Sequence, residues 1–320
     1  MSLRSILSKM INNSKLKEIK PQLIAIYEKI YGFHKTIQMY IYSHKDDNYA
    51  KEHPLKIMSI EKTLVYIIEN RCSVARYGDG EFNLLSNTNI GFQNHDQRLV
   101  ERLRDIVKSN CSTCLVCIPG IFAYEQDYDP STRRFWKKIL VHRRQEWYQC
   151  CDPNYHYGNA DITRCYLEFA NREKAELYFS LLKRIWNNQT VVIVEGELTR
   201  LGVGNDLFNN ASGIQRVLCP ATDAFTSYEQ IKNYIVQNIS KKKIILIALG
   251  PTATVLAYDL ATCGYWAIDI GNVDKEYEWW RSNATCKQRN PIKFTMEIQG
   301  GTLVEDCHDP QYLSEIIYRV

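Results

Sequence analysis

The sequence predicts an α/β fold, a mainly parallel sheet flanked by helices and preceded by a helical extension. Three observations point there. Short apolar runs alternate with helically patterned stretches of about 10–15 residues, the rhythm of strand–helix–strand units. Residues 1–55 carry helical spacing throughout and no strand pattern. Each glycine- and acid-rich motif comes directly after an apolar run, where the open sheets of such folds bind their ligands.

In the extension, Leu3, Ile6, Leu7 and Met10 are helically spaced, as are Leu23, Ile26, Tyr27, Ile30, Ile37, Tyr40 and Ile41. Pro21 suits the first turn of the second of these helices. His53-Pro54 marks a boundary, dividing a helical extension over 1–55 from a body over 56–320. The body reads as helix 59–70, strand 72–76, a loop at 79–81, helix 96–109, strand 114–118 and helix 131–148. After an irregular stretch come helix 173–187, strands 190–195 and 215–219, helix 228–239, strand 243–249, helix 252–262 and strand 266–270.

Composition narrows the function classes. Apolar content of 45% and charged content of 24% are ordinary for a water-soluble globular protein. The chain has no run of about 18 apolar residues, so no spanning helix is expected, and no signal-peptide pattern opens it. Residues 1–56 hold ten Lys and Arg against five Asp and Glu, while the whole chain is at +4. The body is thus near neutral, unlike a nucleic-acid binder. The extension reads as a helix packed on the body or on another subunit; a peripheral membrane anchor is the alternative. Eleven cysteines in a chain this large read as free thiols of a reduced, cytoplasmic protein. Cys111-x-x-Cys114-x-x-Cys117 lacks the fourth cysteine of a ferredoxin-type cluster and runs into a strand.

The most informative segment is Arg76-Tyr77-Gly78-Asp79-Gly80-Glu81. Gly78 and Gly80 are expected to let the chain bend after the strand, aiming Asp79 and Glu81 at one point. Two hard oxygen ligands suit Mg²⁺ or Mn²⁺ that also holds phosphate oxygens, and Arg76 could take a phosphate by two parallel hydrogen bonds. The spacing alone is weak, since acid-x-acid recurs at Asp127/Asp129, Glu195/Glu197, Asp274/Glu276 and Glu276/Glu278.

Four further motifs come after strands. Gly250-Pro251-Thr252 opens a helix whose free N–H groups suit an anion, with Thr252 as its cap, or it is an ordinary strand–helix connection. Arg200, Gly202, Gly204, Asn205 and Asp206 form a loop that could approach a nucleotide, or one that merely turns; the third glycine of the dinucleotide fingerprint is replaced by Leu207. Asn159, Asp161 and Arg164 suit sugar hydroxyls or phosphate, or form a polar turn. Asp269-Ile270-Gly271 leads to Asp274, Glu276, Glu278, Trp279 and Trp280, either a sugar-binding acidic and aromatic patch or a solvated turn. The histidines show no metal-ligand spacing.

Taken in order, these five motifs resemble the bacterial GT-D-type glycosyltransferases over roughly residues 55–300. The resemblance implies a Rossmann-like fold and transfer of a sugar, typically glucose, from a UDP-sugar to a glycan on a glycoprotein or polysaccharide, in the cytoplasm. It further implies Mn²⁺ (or Mg²⁺) held by Asp79 and Glu81. Arg76, Arg200 and the helix start at Thr252 would then steady the diphosphate, and Glu276 or Asp274 would serve an inverting enzyme as base. One departure stands at Asn272, where the family carries a histidine, so sugar specificity does not transfer at that position. Two rival readings are a nucleotide-sugar dehydrogenase, which would need the full glycine fingerprint, and a catalytically silent scaffold, against which the intact Asp79/Glu81 pair speaks.

Overall fold

The computed structural model describes residues 20–320, in two compact units. The first comprises the described part of Met1–Glu52 together with Lys137–Gln145. Its main element is α1 (Lys20–Glu52), with Pro21 in its first turn. The Arg144 guanidinium donates to Asp46 over 2.7 and 3.2 Å, and both groups are buried. Ile26, Ile30, Phe33, Ile37 and Ile41 of α1 are exposed. The helix expected over 3–10 lies outside the described residues.

The second unit holds His53–Trp136 and Glu146–Val320. In chain order it presents β1 (Lys56–Ile57), α2 (Ile60–Asn70), β2 (Ser73–Arg76), α3 (Asp79–Leu85), α4 (Gln97–Val107) and β3 (Cys114–Ile118). Next come α5 (Pro130–Gln149, shared with the first unit), β4 (His156–Asn159), α6 (Lys174–Ile185), β5 (Thr190–Gly196), β6 (Gly213–Cys219) and α7 (Tyr228–Asn238). The chain closes with β7 (Ile244–Ala248), α8 (Pro251–Thr262), β8 (Trp266–Asp269), α9 (Val273–Arg281), α10 (Pro310–Glu315) and β9 (Ile316–Arg319). Local chemistry explains the ends. Ser59 accepts from Lys62 N to start α2, which stops where Arg71 turns left-handed, and Asp96 accepts from Arg98 N and Leu99 N to start α4.

Among the described residues the sheet has nine strands in the order β1-β4-β3-β2-β8-β7-β5-β6-β9, and all pairings are parallel. All five residues of β3 and the first four of β7 are buried, as strands covered on both faces must be. The expected α/β architecture is the observed one. An early strand, β2, lies beside the last core strand, β8, and their register rests on a single pair, Val74 opposite Ile268. Ligands in open parallel sheets bind where the strand order reverses in this way.

Three expectations change. Residues 79–81 are the first turn of α3 rather than a loop. Gly78 has φ −113°, extended backbone open to any residue, so neither glycine there supplies a left-handed bend. The acidic run after β8 is a helix, α9, whose buried face includes Asp274 and Glu276. The motif at Gly158-Asn159 ends strand β4, which pairs with β3, rather than forming a turn alone.

A buried charge network fixes the far edge of the sheet. Arg216 on β6 donates from Nη1 to Glu195 of β5 and from Nε to Glu315 of α10, both at 2.7 Å. Removing one partner of such a pair leaves an uncompensated buried charge. Arg216→Ala is therefore expected to destabilise the protein by about 3–5 kcal/mol in denaturant unfolding.

Candidate functional site

The carboxyl ends of β2, β4 and β8 converge through Arg76. Its Nε donates to the Asp269 carbonyl at 2.9 Å, its Nη2 to Asp269 Oδ1 at 2.9 Å, and its Nη1 to the Ala160 carbonyl at 3.0 Å. Burial pushes the Asp269 carboxyl above its usual value, with the Arg76 guanidinium pulling the other way. Gly271 makes room for this pair. It has φ +45°, and a Cβ there would stand 1.9 Å from Arg76 Nη2.

At the end of β2, Asp79 and Glu81 occupy the first turn of α3 and are partly exposed. Glu81 Oε2 accepts from Gly78 N at 2.7 Å, while the Asp79 side chain makes no hydrogen bond within the described residues. Surrounding protein desolvates Glu81 and raises its carboxyl to about 7; the Gly78 N–H opposes this, and Asp269 and Asp79 add to it.

After β4, Asn159 accepts from Asp161 N at 2.9 Å, and Asp161 Oδ2 accepts from Gly120 N at 2.9 Å and from the Tyr128 hydroxyl. Burial raises the Asp161 carboxyl. These two residues, read from the sequence as suiting sugar hydroxyls or phosphate, lock the turn that presents the Ala160 carbonyl to Arg76.

The loop after β5 is spoken for in the same way. Arg200 Nη1 donates to the carbonyls of Ile292 and Glu305 at 2.7 and 2.6 Å, so the guanidinium holds the C-terminal segment rather than facing a phosphate. Gly202 N and Asn205 Nδ2 donate to Asp274 at 2.9 and 2.7 Å, and Asp206 accepts from the Tyr277 hydroxyl at 2.9 Å. The positive φ values of Gly202 (77°) and Gly204 (78°) show why glycine stands there.

Asp274 itself is tied to buried Lys293 at 2.6 Å, which also reaches Glu278 at 2.6 Å. Glu276 differs. It is fully buried, and its Oε2 accepts from Tyr166 N (3.1 Å) and Leu167 N (3.2 Å), while Oε1 has no hydrogen-bond partner among the described residues. Burial lifts its carboxyl to about 7, with Glu168 adding and Arg164 opposing.

At the end of β7, Gly250 rather than Thr252 is the N-cap of α8, with Pro251 in the first turn; Thr252 is wholly buried. Gly250 has φ +55°, and a Cβ there would lie 2.4 Å from the Phe92 ring. The 87–95 loop thus lies across this helix start, while Ile90 of the same loop packs near Gly80.

Sequence reading missed the partners that come from afar. Asp269 as the anchor of Arg76, and Tyr128 as that of Asp161, lie 193 and 33 residues away. Arg164 binds Glu297, 133 residues on, and Glu297 also takes Lys287 and Asn272 Nδ2 (3.1 Å). Burial alone would raise Glu297, but Arg164 and Lys287 outweigh it and hold the carboxyl far below its usual range. Nothing local in sequence announces such pairs.

In an open parallel α/β sheet the ligand crevice lies outside the carboxyl ends of the strands, where the strand order reverses, and Asp79 and Glu81 stand there. A family model for the glycosyltransferase GT-D fold matches residues 74–298. "Glycosyltransferase GlyD" of Streptococcus pneumoniae serotype 4 is 36% identical over 267 residues, covering 83% of this chain and 33% of that protein. "Probable glycosyl transferase Gly" of Streptococcus gordonii is 35% identical over 268 residues, covering 83% of this chain and 39% of its own length. The chain thus spans well under half of the curated relatives it matches. A solved structure described as the domain of unknown function 1792 with a distinct glycosyltransferase fold superposes with TM-score 0.81 at 35% identity, covering 88% of this chain and 99% of that one. "A New Glycosyltransferase (DUF1792)" from Streptococcus sanguinis gives 0.79 at 35% identity, covering 83% and 99%. The chain belongs to the GT-D-fold glycosyltransferase family.

Two outcomes test this geometry. Gly271→Ala is expected to cost about 1–3 kcal/mol in thermal unfolding, because a left-handed residue and the Arg76 pair are disturbed together. Glu276 has its folded pKa raised from 4.5 to about 7, so its stabilising contribution is complete below about 4.5 and is lost as pH rises through about 7. Glu276→Gln should therefore gain stability relative to the parent between those values, read from melting curves across that range.

Proposed function

We propose that this domain transfers a sugar, with glucose the first candidate, from a UDP-sugar to a glycan hydroxyl on a glycoprotein or polysaccharide, with the donor's diphosphate held through Mn²⁺ or Mg²⁺. The observation that carries the reading is the placement of Asp79 and Glu81. They are two partly exposed carboxylates on one helical turn, at the end of β2 and beside the Arg76–Asp269 pair. Family membership supports the transfer reaction in general; donor, metal and acceptor are our assignment.

The residues present fit a divalent ion. Asp79 has no competing side-chain hydrogen bond, and Glu81 is held in place through one oxygen. Among the described residues no group of three or more His, Cys, Asp or Glu is assembled for a metal. Two carboxylates with substrate phosphate and water in the other positions is the arrangement such hard ions adopt with nucleotides. When bound there, the ion would offset the charge that grows on the departing diphosphate.

The chain's own groups supply the remainder. Arg76 is fixed by three acceptors, so it sets the shape of the site without reorganising during the reaction. In an inverting transfer the acceptor oxygen bonds to the anomeric carbon as the bond to the diphosphate breaks, and the hydroxyl proton must go to a base. Of the two acids considered, Asp274 is neutralised by Lys293. Glu276 has an unpaired oxygen and a proton affinity raised towards neutrality, which suits a base working near pH 7. Because Glu276 is fully buried here, an acceptor would reach it only after the residues around it move. We place the protein in the cytoplasm, with the extension as a site of partner or membrane-surface contact; among the described residues no helix is long and apolar enough to cross a membrane.

Release of UDP from a panel of UDP-sugars, with Mn²⁺ and with a chelator, tests the reading. Asp79→Ala and Glu81→Ala should each abolish metal-dependent turnover while leaving the melting temperature close to the parent's. Full activity in either variant would remove the metal assignment.

A further inference from the structure

The cage around Glu297 is built more like an anion-binding site than a surface ion pair. Arg164 donates from Nη1 (3.2 Å to Oε2) and from Nη2, Lys287 donates from Nζ, and Asn272 donates from Nδ2 at 3.1 Å. Lys275 stands behind, its Nζ donating to Asn272 Oδ1 at 3.2 Å. A guanidinium fork, an ammonium and an amide converging on a planar anion are equally matched to a phosphate.

The cage lies within the site already described. Asn272 directly follows Gly271, which packs on Arg76, and Arg164 closes the turn that carries Asp161 and the Ala160 carbonyl. Glu297 itself sits on a tight turn closed by Thr295 N to the Gly301 carbonyl (2.8 Å) and Gly301 N to the Ile298 carbonyl (2.9 Å). Met296 of that turn meets the 87–95 loop at Gly91, and this loop covers Gly80 and Gly250.

The charge balance of the cage rests on Glu297. Arg164, Lys275 and Lys287 are offset by Glu297, by Glu168 (3.1 Å from Arg164) and by Glu276 behind it. Without Glu297 the cage is left cationic. We propose that Glu297 is an internal stand-in for the donor's diphosphate, and that Arg164, Lys287 and Asn272 receive the diphosphate when the 295–301 turn lifts. This deepens the donor reading above and rests on it. It also assigns the cationic role that Arg200, bound to two carbonyls, does not fill.

Calorimetric titration of the full chain with inorganic pyrophosphate tests the inference. A stand-in that occupies the site weakens apparent affinity by the fraction of time it is bound. Glu297→Gln should therefore bind pyrophosphate about tenfold more tightly than the parent, and Arg164→Ala added to it should abolish the gain. Unchanged or weaker binding by a folded Glu297→Gln overturns the proposal. Should that variant fail to fold, Lys287→Met takes its place: binding weakened by about tenfold supports the cage, and unchanged binding overturns it. Tighter pyrophosphate binding with no turnover of any UDP-sugar would keep the anion site and sink the transferase reading. UDP-sugar turnover with pyrophosphate affinity unmoved would do the reverse.

Discussion

The site depends on the contact between Arg76 and Asp269. Strands β2 and β8 share one backbone pair, and beyond Val74 the main chains no longer pair with each other. Arg76 Nε takes the Asp269 carbonyl, so a side chain continues the link where the ladder stops, and Nη2 neutralises the adjoining carboxylate. A buried carboxylate without that partner would cost several kcal/mol or be protonated. The same guanidinium reaches the turn after β4. One residue thus sets the spacing of three strand ends, and the Asp79/Glu81 turn, three residues beyond it, inherits that geometry.

The range of each interaction decided how much of this was legible in the sequence. The sheet was readable because β2, β3, β5 and β7 are short apolar runs and the intervening helices carry their own caps, as at Ser59 and Asp96. β1, with two residues, has too little pattern to read, and β9 at the C-terminus was not anticipated. The Asp79/Glu81 pair stands out in the sequence because its context, a short strand followed by Gly-x-Gly, is local. The hydrogen bonds of Arg200, Asn205 and Asp161 could not be read from the sequence because their partners, Ile292 and Glu305, Asp274, and Tyr128, lie 33 or more residues away. A polar residue on a glycine-rich loop looks the same in sequence whether it faces a ligand or closes a fold.

The acids of α9 show how burial sorts such look-alikes. Asp274, Glu276 and Glu278 lie on adjacent turns of one short helix. Lys293 sits between Asp274 and Glu278, and although burial disfavours its charge, the two carboxylates hold its proton more firmly than usual. Those two acids are thereby given over to pinning the C-terminal segment, which Arg200 also holds through the carbonyls of Ile292 and Glu305. Glu276 is given two backbone N–H donors and no cation of its own, and is left with an idle oxygen.

An unpaired carboxyl oxygen in the interior is costly to keep, and a purely structural acid at this point would be better served by a group that satisfies both oxygens. The neighbours explain why the cost is tolerated. Arg164, whose charge reaches Glu276, is paired with Glu168 and Glu297. Burial raises the Glu276 carboxyl, Glu168 adds to it, and Arg164, engaged elsewhere, opposes it only in part. Glu297, one of the two acids that hold Arg164, is carried by the 295–301 turn, so movement of that turn would alter the charge that faces Glu276.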